Sequence, residues 1–414
     1  MEVTVLFLVI ASVMAIGFVG NYFFKKTKVP DILFLLILGV VLGPVLGIFR
    51  RDMFLRISPY ISALALLMIL FDAGLKLKMK EVLEEVHRGI LLSALGFVFS
   101  ASAVGIVSYY TLGTCIATSF LLGSIVGGVS SAIVIPVVSG LEEFGKGPRL
   151  TLDIESVITD PLCIIVALFI MDMMVGGASG AEVFTTEGLA RVVSIFSVSI
   201  VVGIVSGIVW LMILRHLRRE EYSYMLTLAF LFFVYAGTHI LGGHGAVAAF
   251  VVGLVIGNPR SIEKLLDFED EYPGLEKRSK DIQSYISLFV KTFFFVILGI
   301  IITFDNPMLF AYGGILVLII LATRSLAVKI ISTGSDFSIA EKGIMTFMSP
   351  RGLAAAVLAS APAIEYGIPG TEIFPEIVFS VILGTSIVTT IGVVYVEKGM
   401  KATEEVLEEN LIDK

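Results

Sequence analysis

Long apolar stretches separated by short polar breaks run through the whole chain. Most stretches hold about 20 residues, the length that an α-helix needs to cross a hydrocarbon layer about 30 Å thick. A transmembrane β-barrel would instead show segments of about ten residues with alternating polarity. The pattern predicts an all-α membrane protein with thirteen transmembrane helices, at residues 3–24, 31–49, 57–75, 88–110, 115–140, 150–171, 190–214, 222–240, 244–258, 284–304, 307–332, 342–364 and 376–396.

The composition also indicates a membrane protein. Of the 414 residues, 57% are hydrophobic and 16% are charged, and the mean hydropathy is +0.98. A soluble domain has about 25% charged residues. Residues 3–24 lack the basic start of a signal peptide, so we expect them to be retained as the first span. Cys115 and Cys163 lie at or inside predicted spans, where no disulfide framework is expected.

Basic residues predict the orientation of the chain. If the amino terminus lies outside, 22 of the 29 Lys and Arg residues fall on the cytoplasmic side. Arg50, Arg51, Arg56 and Arg191 fall on the outer side. Cytoplasmic loops of membrane proteins are enriched in Lys and Arg. The distribution therefore predicts a cell-membrane protein with an outer amino terminus and a cytoplasmic carboxyl terminus.

Six charged side chains fall well inside the predicted spans, and Asp153 lies near a span end. A charge at the bilayer centre costs about 3 to 17 kcal/mol, depending on how it is measured. Three acids and three bases at such depth indicate pairing, an aqueous cavity, or both. These residues are Asp72, Glu155, Asp160, Lys291, Arg324 and Arg351.

Glu155 and Asp160 share the sixth span, in the stretch ESVITDPL. Five residues rotate an α-helix by about 500°, so the two side chains diverge by about 140° and are not expected to share one site. A buried arginine keeps its charge and needs a fixed counter-ion. At least one of Arg324 and Arg351 therefore needs a fixed acid, for which Glu155 is the natural candidate. We predict a structural ion pair of Glu155 with Arg324 as the preferred partner, which leaves Asp160 available for chemistry.

Oxygen-bearing groups surround Asp160 in the sequence. Thr159 supplies a hydroxyl, and Ser156 lies four residues earlier on the same helical face. Pro161 lacks an N–H, so a carbonyl one turn back loses its helical partner. Oxygen ligands suit a small hard cation, and a partly desolvated carboxylate also takes up a proton near neutral pH. The hypothesis is one site that holds either a proton or a metal ion.

Asp72 and Lys291 each admit two interpretations. Asp72 ends the third span in LLMILFDAGLKLK, where it is either a solvated neighbour of the lysines or a ligand at the inner mouth of a cation path. Lys291, in FVKTFFFVILG, either neutralises a carboxylate or extends toward a helix end.

The fifth and twelfth spans carry helix-breaking residues. GSIVGGVSSAIVIP and MSPRGLAAAVLASAP are rich in glycine, serine and proline, and the second contains Arg351. The two spans are seven apart and so cross in opposite directions. Matched interruptions in oppositely oriented spans are typical of an inverted repeat with substrate bound where the breaks meet. Close helix packing is the alternative role for such small residues.

Taken together, these motifs resemble the monovalent cation/proton antiporter superfamily, in particular its sodium/proton exchanger (NhaP-like) branch. The resemblance covers nearly the whole chain. It is most specific in ESVITDPL, KTFFFVILG, TRSLAV and SPRGLAAAV, and LFDAGL and VSSAIVIP add to it.

The resemblance implies a homodimer with a defined division of each chain. A dimerisation domain would contain residues 1–75 and 222–304 (spans 1–3 and 8–10). A six-helix core for ion transport would contain residues 88–171 and 307–396 (spans 4–6 and 11–13). Residues 190–214 would be a linking helix, and 397–414 a short cytoplasmic tail.

The resemblance also implies roles for single residues. Asp160 would bind cation and proton alternately, Ser156 and Asp72 would add Na⁺ ligands, and Val129 would offer its carbonyl. Glu155 and Arg324 match a structural pair. Two departures touch the ion site: Thr159 stands where an asparagine is usual, and the fifth span has Val129-Ser130-Ser131 in place of Thr-Asp-Pro, closer to potassium relatives. The absence of a second acid at position 159 predicts an electroneutral 1:1 exchange.

The expected function is a secondary antiporter that exchanges Na⁺ or Li⁺ for H⁺ by alternating access. K⁺/H⁺ exchange is the alternative, and a cation channel is a more remote one. An intramembrane enzyme would need a nucleophile–base pair or a metal cluster at depth, and the sequence offers neither. Symport of the bile-acid type fits the embedded bases less well. No cofactor and no nucleic-acid partner are expected.

Overall fold

The computed structural model of the protein describes residues 11, 14–15, 30–49, 51–77, 87–141, 144–175, 186–216, 223–266 and 277–412. The first predicted span, 3–24, lies almost entirely outside the described residues. The chain folds into helices in the part that is described, and six of these helices are long and apolar enough to cross a membrane. Further apolar helices are shorter.

Fifteen α-helices follow one another along the described residues. The first eight are α1 (Asp31–Val40), α2 (Arg51–Lys76), α3 (His87–Leu112), α4 (Ile116–Ile125), α5 (Ser131–Ser139), α6 (Lys146–Val175), α7 (Thr186–His216) and α8 (Ser223–Ile240). The others are α9 (Gly245–Gly257), α10 (Pro259–Leu266), α11 (Lys277–Ile301), α12 (Pro307–Ile331), α13 (Ile339–Phe347), α14 (Leu353–Ile364) and α15 (Phe374–Ile412).

Polar residues fix several helix starts. The Asn306 side chain accepts a hydrogen bond from the Met308 N–H (3.1 Å), and Pro307 follows as the first helical residue of α12. Ser338 and Glu341 form a reciprocal capping box at the start of α13. Such caps satisfy backbone N–H groups that have no partner inside the helix. The first residues of α12 and α13 are therefore determined by the local sequence.

The observed bounds differ from the predicted spans at several places; α2 begins six residues earlier than predicted, at Arg51, and α11 seven residues earlier, at Lys277. The predicted helix 31–49 is α-helical only to Val40, passes through a π-helical turn at Val41–Val45 and then ends, because Pro44 lacks an N–H and Gly47 adopts a φ of 62°. At the other end of the chain, α15 continues through the predicted tail as far as Ile412.

The helices pack in two groups. One group contains α1, α2, α7–α9 and α11, with α9 against α2 and α7, and α11 against α1 and α2. The other contains α3–α6 and α12–α15, with α3 against α4, α6 and α12. Glycines allow the closest approaches, since a side chain at Gly74 or Gly253 would collide with backbone carbonyls of the facing helix. Helix α14 contacts both groups, through α2, α6 and α11.

Candidate ion-binding site

Two helix interruptions contact each other near the centre of the second group. Helices α4 and α5 are separated by residues 126–130, and α13 and α14 by residues 348–352. The Ser130 N–H donates to the Pro350 carbonyl at 2.9 Å. Gly352 packs directly on Ser130, and any side chain there would collide with the serine hydroxyl. Residue 352 is therefore restricted to glycine by this contact.

Arg351 satisfies the carbonyl end of helix α4. It is 1% exposed, and its Nε donates to the Val126 carbonyl at 2.6 Å while Nη1 donates to the Ser349 carbonyl at 3.0 Å. Its own N–H donates to Thr385 Oγ1 at 3.0 Å. The last carbonyls of a helix lack partners and carry partial negative charge. The guanidinium thus stabilises the broken end of α4.

Arg324 does the same for helix α13 and also holds Glu155. Its Nε donates to the Met345 carbonyl at 2.9 Å, and Nη2 donates to the Met348 carbonyl at 3.2 Å. Nη1 donates to Glu155 Oε1, and Nη2 donates to Oε2 at 2.8 Å. The acid is 0% exposed and the arginine 2%. The pair is bidentate and closed to solvent, as a structural ion pair requires.

Asp160 lies at the amino end of helix α5. Its Oδ2 accepts two hydrogen bonds from Ser131, one from the backbone N–H at 3.1 Å and one from the hydroxyl at 2.7 Å. A helix amino terminus carries partial positive charge and favours a carboxylate. Helix α6 continues without interruption through Pro161. Asp160 is thus held on one side by Ser131, and its other side faces a cavity.

That cavity has a volume of about 270 Å³ and lies between the two helix groups. Its polar residues from the second group are Asp160, Ser130 and Ser131. The opposite wall, from α2 and α11, contributes Asp72, Lys76, Ser287 and Lys291. Apolar residues complete the lining: Ile69, Ala73, Ala132, Ile135, Pro136, Val157, Leu288, Leu353 and Ala354.

Two charged residues of α2 that line the cavity form an ion pair with each other. Lys76 Nζ donates to Asp72 Oδ2 at 2.6 Å, one helical turn away. The lysine side chain is 53% exposed and the acid 18%, so the cavity reaches the surface at this end. Asp72 therefore lies at the mouth of the cavity beside a solvated lysine, a position that agrees with both interpretations of this residue. Lys291 lines the same cavity.

Ser156, Thr159 and Val129 do not line the cavity. The Ser156 hydroxyl donates to the Asp153 carbonyl on its own helix at 3.0 Å. Thr159 Oγ1 accepts from the Val129 N–H at 3.0 Å and donates to the Val129 carbonyl at 3.3 Å. Thr159 and Val129 therefore hold the α4–α5 interruption against α6, and the hydroxyl beside Asp160 comes from Ser131.

Sequence reasoning missed two cavity residues, Lys76 and Ser287. In the sequence, Lys76 falls among the basic residues at the cytoplasmic end of a span, and Ser287 is a serine within an apolar span. Helical spacing indicates both residues, since Lys76 lies four residues after Asp72 and Ser287 lies four residues before Lys291. Residues at i and i+4 share a helical face. The same rule that selects Asp72 and Lys291 thus indicates their neighbours.

Sequence comparison identifies the family of the chain. The family model described as sodium/hydrogen exchanger, transmembrane, matches residues 8–397 of the chain. The chain belongs to the sodium/hydrogen exchanger family. This exchanger is accordingly a multi-pass membrane transporter and not an enzyme.

Among the curated relatives of the exchanger, some are named as Na⁺/H⁺ antiporters and others as K⁺/H⁺ antiporters. Na(+)/H(+) antiporter 1 of Methanocaldococcus jannaschii is 26% identical over 400 residues, which cover 91% of this chain and 90% of the relative. K(+)/H(+) antiporter NhaP2 of Shewanella sp. strain MR-4 is 24% identical over 386 residues and 91% of this chain. The chain spans only 64% of the length of that potassium relative.

A solved structure supports the fold. The sodium proton antiporter MjNhaP1 from Methanocaldococcus jannaschii, determined at pH 8, superposes with a TM-score of 0.75 at 24% identity. The match covers 95% of this chain and 98% of the other. The exchanger therefore shares the all-helical architecture of that antiporter.

Proposed function

We propose that this exchanger moves Na⁺ or Li⁺ in exchange for H⁺, with the two ions competing for Asp160. The observation that carries the proposal is the setting of this carboxylate. Its Oδ2 is held by the backbone and hydroxyl of Ser131, while the side chain lines a cavity that reaches the surface. A group fixed on one side and accessible on the other can exchange its ligand without unfolding its surroundings.

Helix ends around the cavity explain why a carboxylate is needed. The amino ends of α5 and α14 contribute Ser131, Ala132, Leu353 and Ala354 to the cavity. These ends are partially positive and oppose a bare cation. The negative carbonyl ends, of α4 and α13, are occupied by Arg351 and Arg324. Asp160 therefore supplies the negative charge that a cation requires, and a proton neutralises it in the cation's absence.

The proposed stoichiometry is one cation per proton. Glu155 is closed in its pair with Arg324, and Asp72 is bonded to Lys76. Among the described residues that line the cavity, Asp160 is then the acid without a basic side chain within bonding distance. A single exchangeable carboxylate supports electroneutral exchange.

Contacts at the far end of the same helices support alternating access. The cavity reaches the surface near Lys76, which lies on the cytoplasmic side in the orientation expected from basic residues. At the other end of α14, the Tyr366 hydroxyl lies 3.4 Å from His244 Nε2. Thr303 Oγ1 donates to Glu376 Oε1 at 3.1 Å. Both contacts join the two helix groups, which supports a site that is open at one end and closed at the other.

The packing of the helices in two groups supports a division of the chain into two domains. We assign the transporting core to residues 88–171 and 307–396 and the dimerisation domain to 1–75 and 222–304, with 190–214 as the linking helix. The contacting interruptions support an inverted repeat inside the core. The homodimer is proposed from the family resemblance alone.

Proteoliposomes test the proposal directly. Dequenching of a pH-sensitive dye on addition of Na⁺, Li⁺ or K⁺ measures exchange for each cation across pH. We expect Na⁺ and Li⁺ to dequench and Asp160→Asn to abolish the response while the protein stays folded. Asp305→Asn makes the same change at an exposed residue between α11 and α12 and should retain wild-type exchange. Cation-driven proton flux that persists in Asp160→Asn would falsify the mechanism.

Potassium exchange is the second candidate, favoured by the potassium relatives and by the Val129-Ser130-Ser131 sequence. A K⁺ response that exceeds the Na⁺ response in the same assay would decide for it. A channel would instead carry cation current in the absence of any proton movement.

A further inference from the structure

The turn between α8 and α9 carries a histidine that contacts the second helix group. His244 Nε2 lies 3.4 Å from the hydroxyl of Tyr366, which belongs to the segment between α14 and α15. His244 is 8% exposed. The contact follows the carboxyl end of α14, whose amino end lines the cavity that contains Asp160. Loss of this contact would therefore release the two helix groups from each other at the end remote from the cavity.

The backbone on each side of the contact is held by its own helix group. The His244 N–H donates to Ser199 Oγ of α7 at 2.7 Å. On the other side, the Tyr366 N–H donates to the Ala361 carbonyl of α14 at 3.2 Å. Each side chain thus projects from a fixed backbone, and the connection between them depends on the side-chain atoms themselves.

The surroundings of His244 favour a neutral imidazole. Its Nδ1 is buried and has no hydrogen-bond partner among the described residues. A charged imidazole carries an N–H on both ring nitrogens, so protonation in place would leave a buried N–H without an acceptor, which is unfavourable. His244 is also the N-cap residue of α9, and the amino end of a helix opposes positive charge. Protonation of His244 therefore opposes the closed contact.

Other titratable groups surround the contact in the described part of the chain: Tyr235 and His239 of α8, Asp172 of α6, and Glu365 directly after α14. The ring of His239 is exposed and lies 5.6 Å from that of His244, so its protonation adds positive charge nearby. Burial, followed by the two carboxylates, raises the pKa of Tyr366, whose hydroxyl therefore keeps its proton. Of the two residues in contact, His244 is then the one whose charge changes near neutral pH.

We propose that the contact between His244 and Tyr366 is a pH-sensitive closure, which opens when His244 is protonated. Above about pH 6.5, the ordinary pKa of a solvated histidine, the imidazole is neutral and the closure has its full strength. Below that pH, the charged form is favoured in the open state, so the closure weakens as the pH falls. The inference rests on the proposed function for its meaning in transport, where acid on this side would expose Asp160 to it. The opening itself can be measured without transport.

Pulsed electron paramagnetic resonance on the full chain in nanodiscs measures this opening. Spin labels at Leu241→Cys and Pro369→Cys occupy exposed positions on the two sides of the contact. Cys115→Ser removes the half-buried native thiol, and Cys163 is buried. Without Na⁺, we expect a short distance at pH 8 and a growing population of longer distances as the pH falls to 5. The ratio of the two populations should change by up to about tenfold per pH unit.

Two variants separate the hydrogen bond from the charge. His244→Gln keeps a polar group near the position of Nε2 but cannot gain a charge, so the short distance should persist at pH 5. Tyr366→Phe removes the hydroxyl, and the longer distances should gain about two- to tenfold at pH 8, as expected for one hydrogen bond. A pH response that persists in His244→Gln would assign the opening to another group, such as Asp160, and overturn the proposal.

His87→Gln and Tyr395→Phe are the matched controls, since both residues are exposed, at the start of α3 and within α15. Both should behave as the wild type, and Glu365→Gln should keep the pH response. An unchanged distance in Tyr366→Phe, an equal effect in a control, or a lost pH response in Glu365→Gln would contradict the closure. If the wild type showed no exchange in proteoliposomes, the proposed function would fail, whereas the distance changes would still support the role of His244.

Discussion

Glu155 and Asp160 carry the same functional group on helix α6, five residues apart, in different surroundings. Both oxygens of Glu155 accept from Arg324, and the pair is sealed from solvent. Asp160 accepts from Ser131 through one oxygen and lines a cavity. Helical rotation places one acid against α12 and α13 and directs the other to α5 and the space beyond.

The difference in surroundings makes Glu155 a structural charge and Asp160 an exchangeable one. A bidentate buried pair is costly to break, because the remaining partner is left as an uncompensated charge. A carboxylate on a cavity wall can replace a proton by a cation while its fixed contacts stay in place. Variants at the two positions should therefore affect different properties: folding at Glu155 and transport at Asp160.

The largest expected effect on stability is that of Glu155→Gln. It leaves the Arg324 guanidinium buried without its counter-ion, so we expect a loss of about 3–5 kcal/mol of folding free energy. Thermal unfolding in detergent, followed by tryptophan fluorescence or light scattering, measures the loss. Asp160→Asn is the comparison and should melt close to the wild type, since the amide oxygen still accepts from Ser131. Similar melting temperatures for both variants would remove the distinction between the two acids.

Arg351→Met should have the next largest effect. It deprives the carbonyls of Val126 and Ser349 of a donor, and unsatisfied buried polar groups cost about 1–3 kcal/mol. We also expect slower exchange, because the end of α4 that contacts the α13–α14 interruption loses its support. Arg88→Met is the control: this half-buried side chain donates to the Gly334 carbonyl and lies over the Phe337 ring, and its loss should cost about 0.5–1 kcal/mol. Equal effects of the two substitutions would contradict the capping role of Arg351.

Much of this arrangement can be predicted from sequence. Apolar length identifies the helices, and the high cost of embedded charge identifies the residues that need partners. An arginine that cannot lose its charge needs a fixed acid, which predicts an ion pair for Glu155, and the structure shows that Arg324 is the partner. Gly127, Gly128 and Pro350 indicate where the helices are interrupted.

The detailed ligands of Asp160 could not be predicted in the same way. Helical spacing places Ser156 on the face of Asp160, but a serine inside a helix can instead bond a carbonyl of its own turn. Thr159 interacts with Val129, 30 residues earlier, through a tertiary contact that no local pattern shows. The position of Ser131 depends on how the α4–α5 interruption packs on α6. These contacts arise from the crossing of broken helices and not from the sequence of α6.

Ser131→Ala is the smallest of the three changes and tests how the charge of Asp160 is held. It removes the hydroxyl donor at 2.7 Å and leaves the backbone donor at 3.1 Å. Because the lost bond favours the charged carboxylate, half-maximal exchange should move to higher pH, by less than about one unit since one donor remains. The melting temperature should stay near that of the wild type, in contrast to Glu155→Gln. Ser93→Ala removes a buried hydroxyl bonded to its own helix and should leave the pH profile unchanged. A shift to lower pH in Ser131→Ala would mean that the hydroxyl stabilises the protonated carboxyl of Asp160. A donor other than the Ser131 hydroxyl would then have to stabilise the charged form that binds the cation.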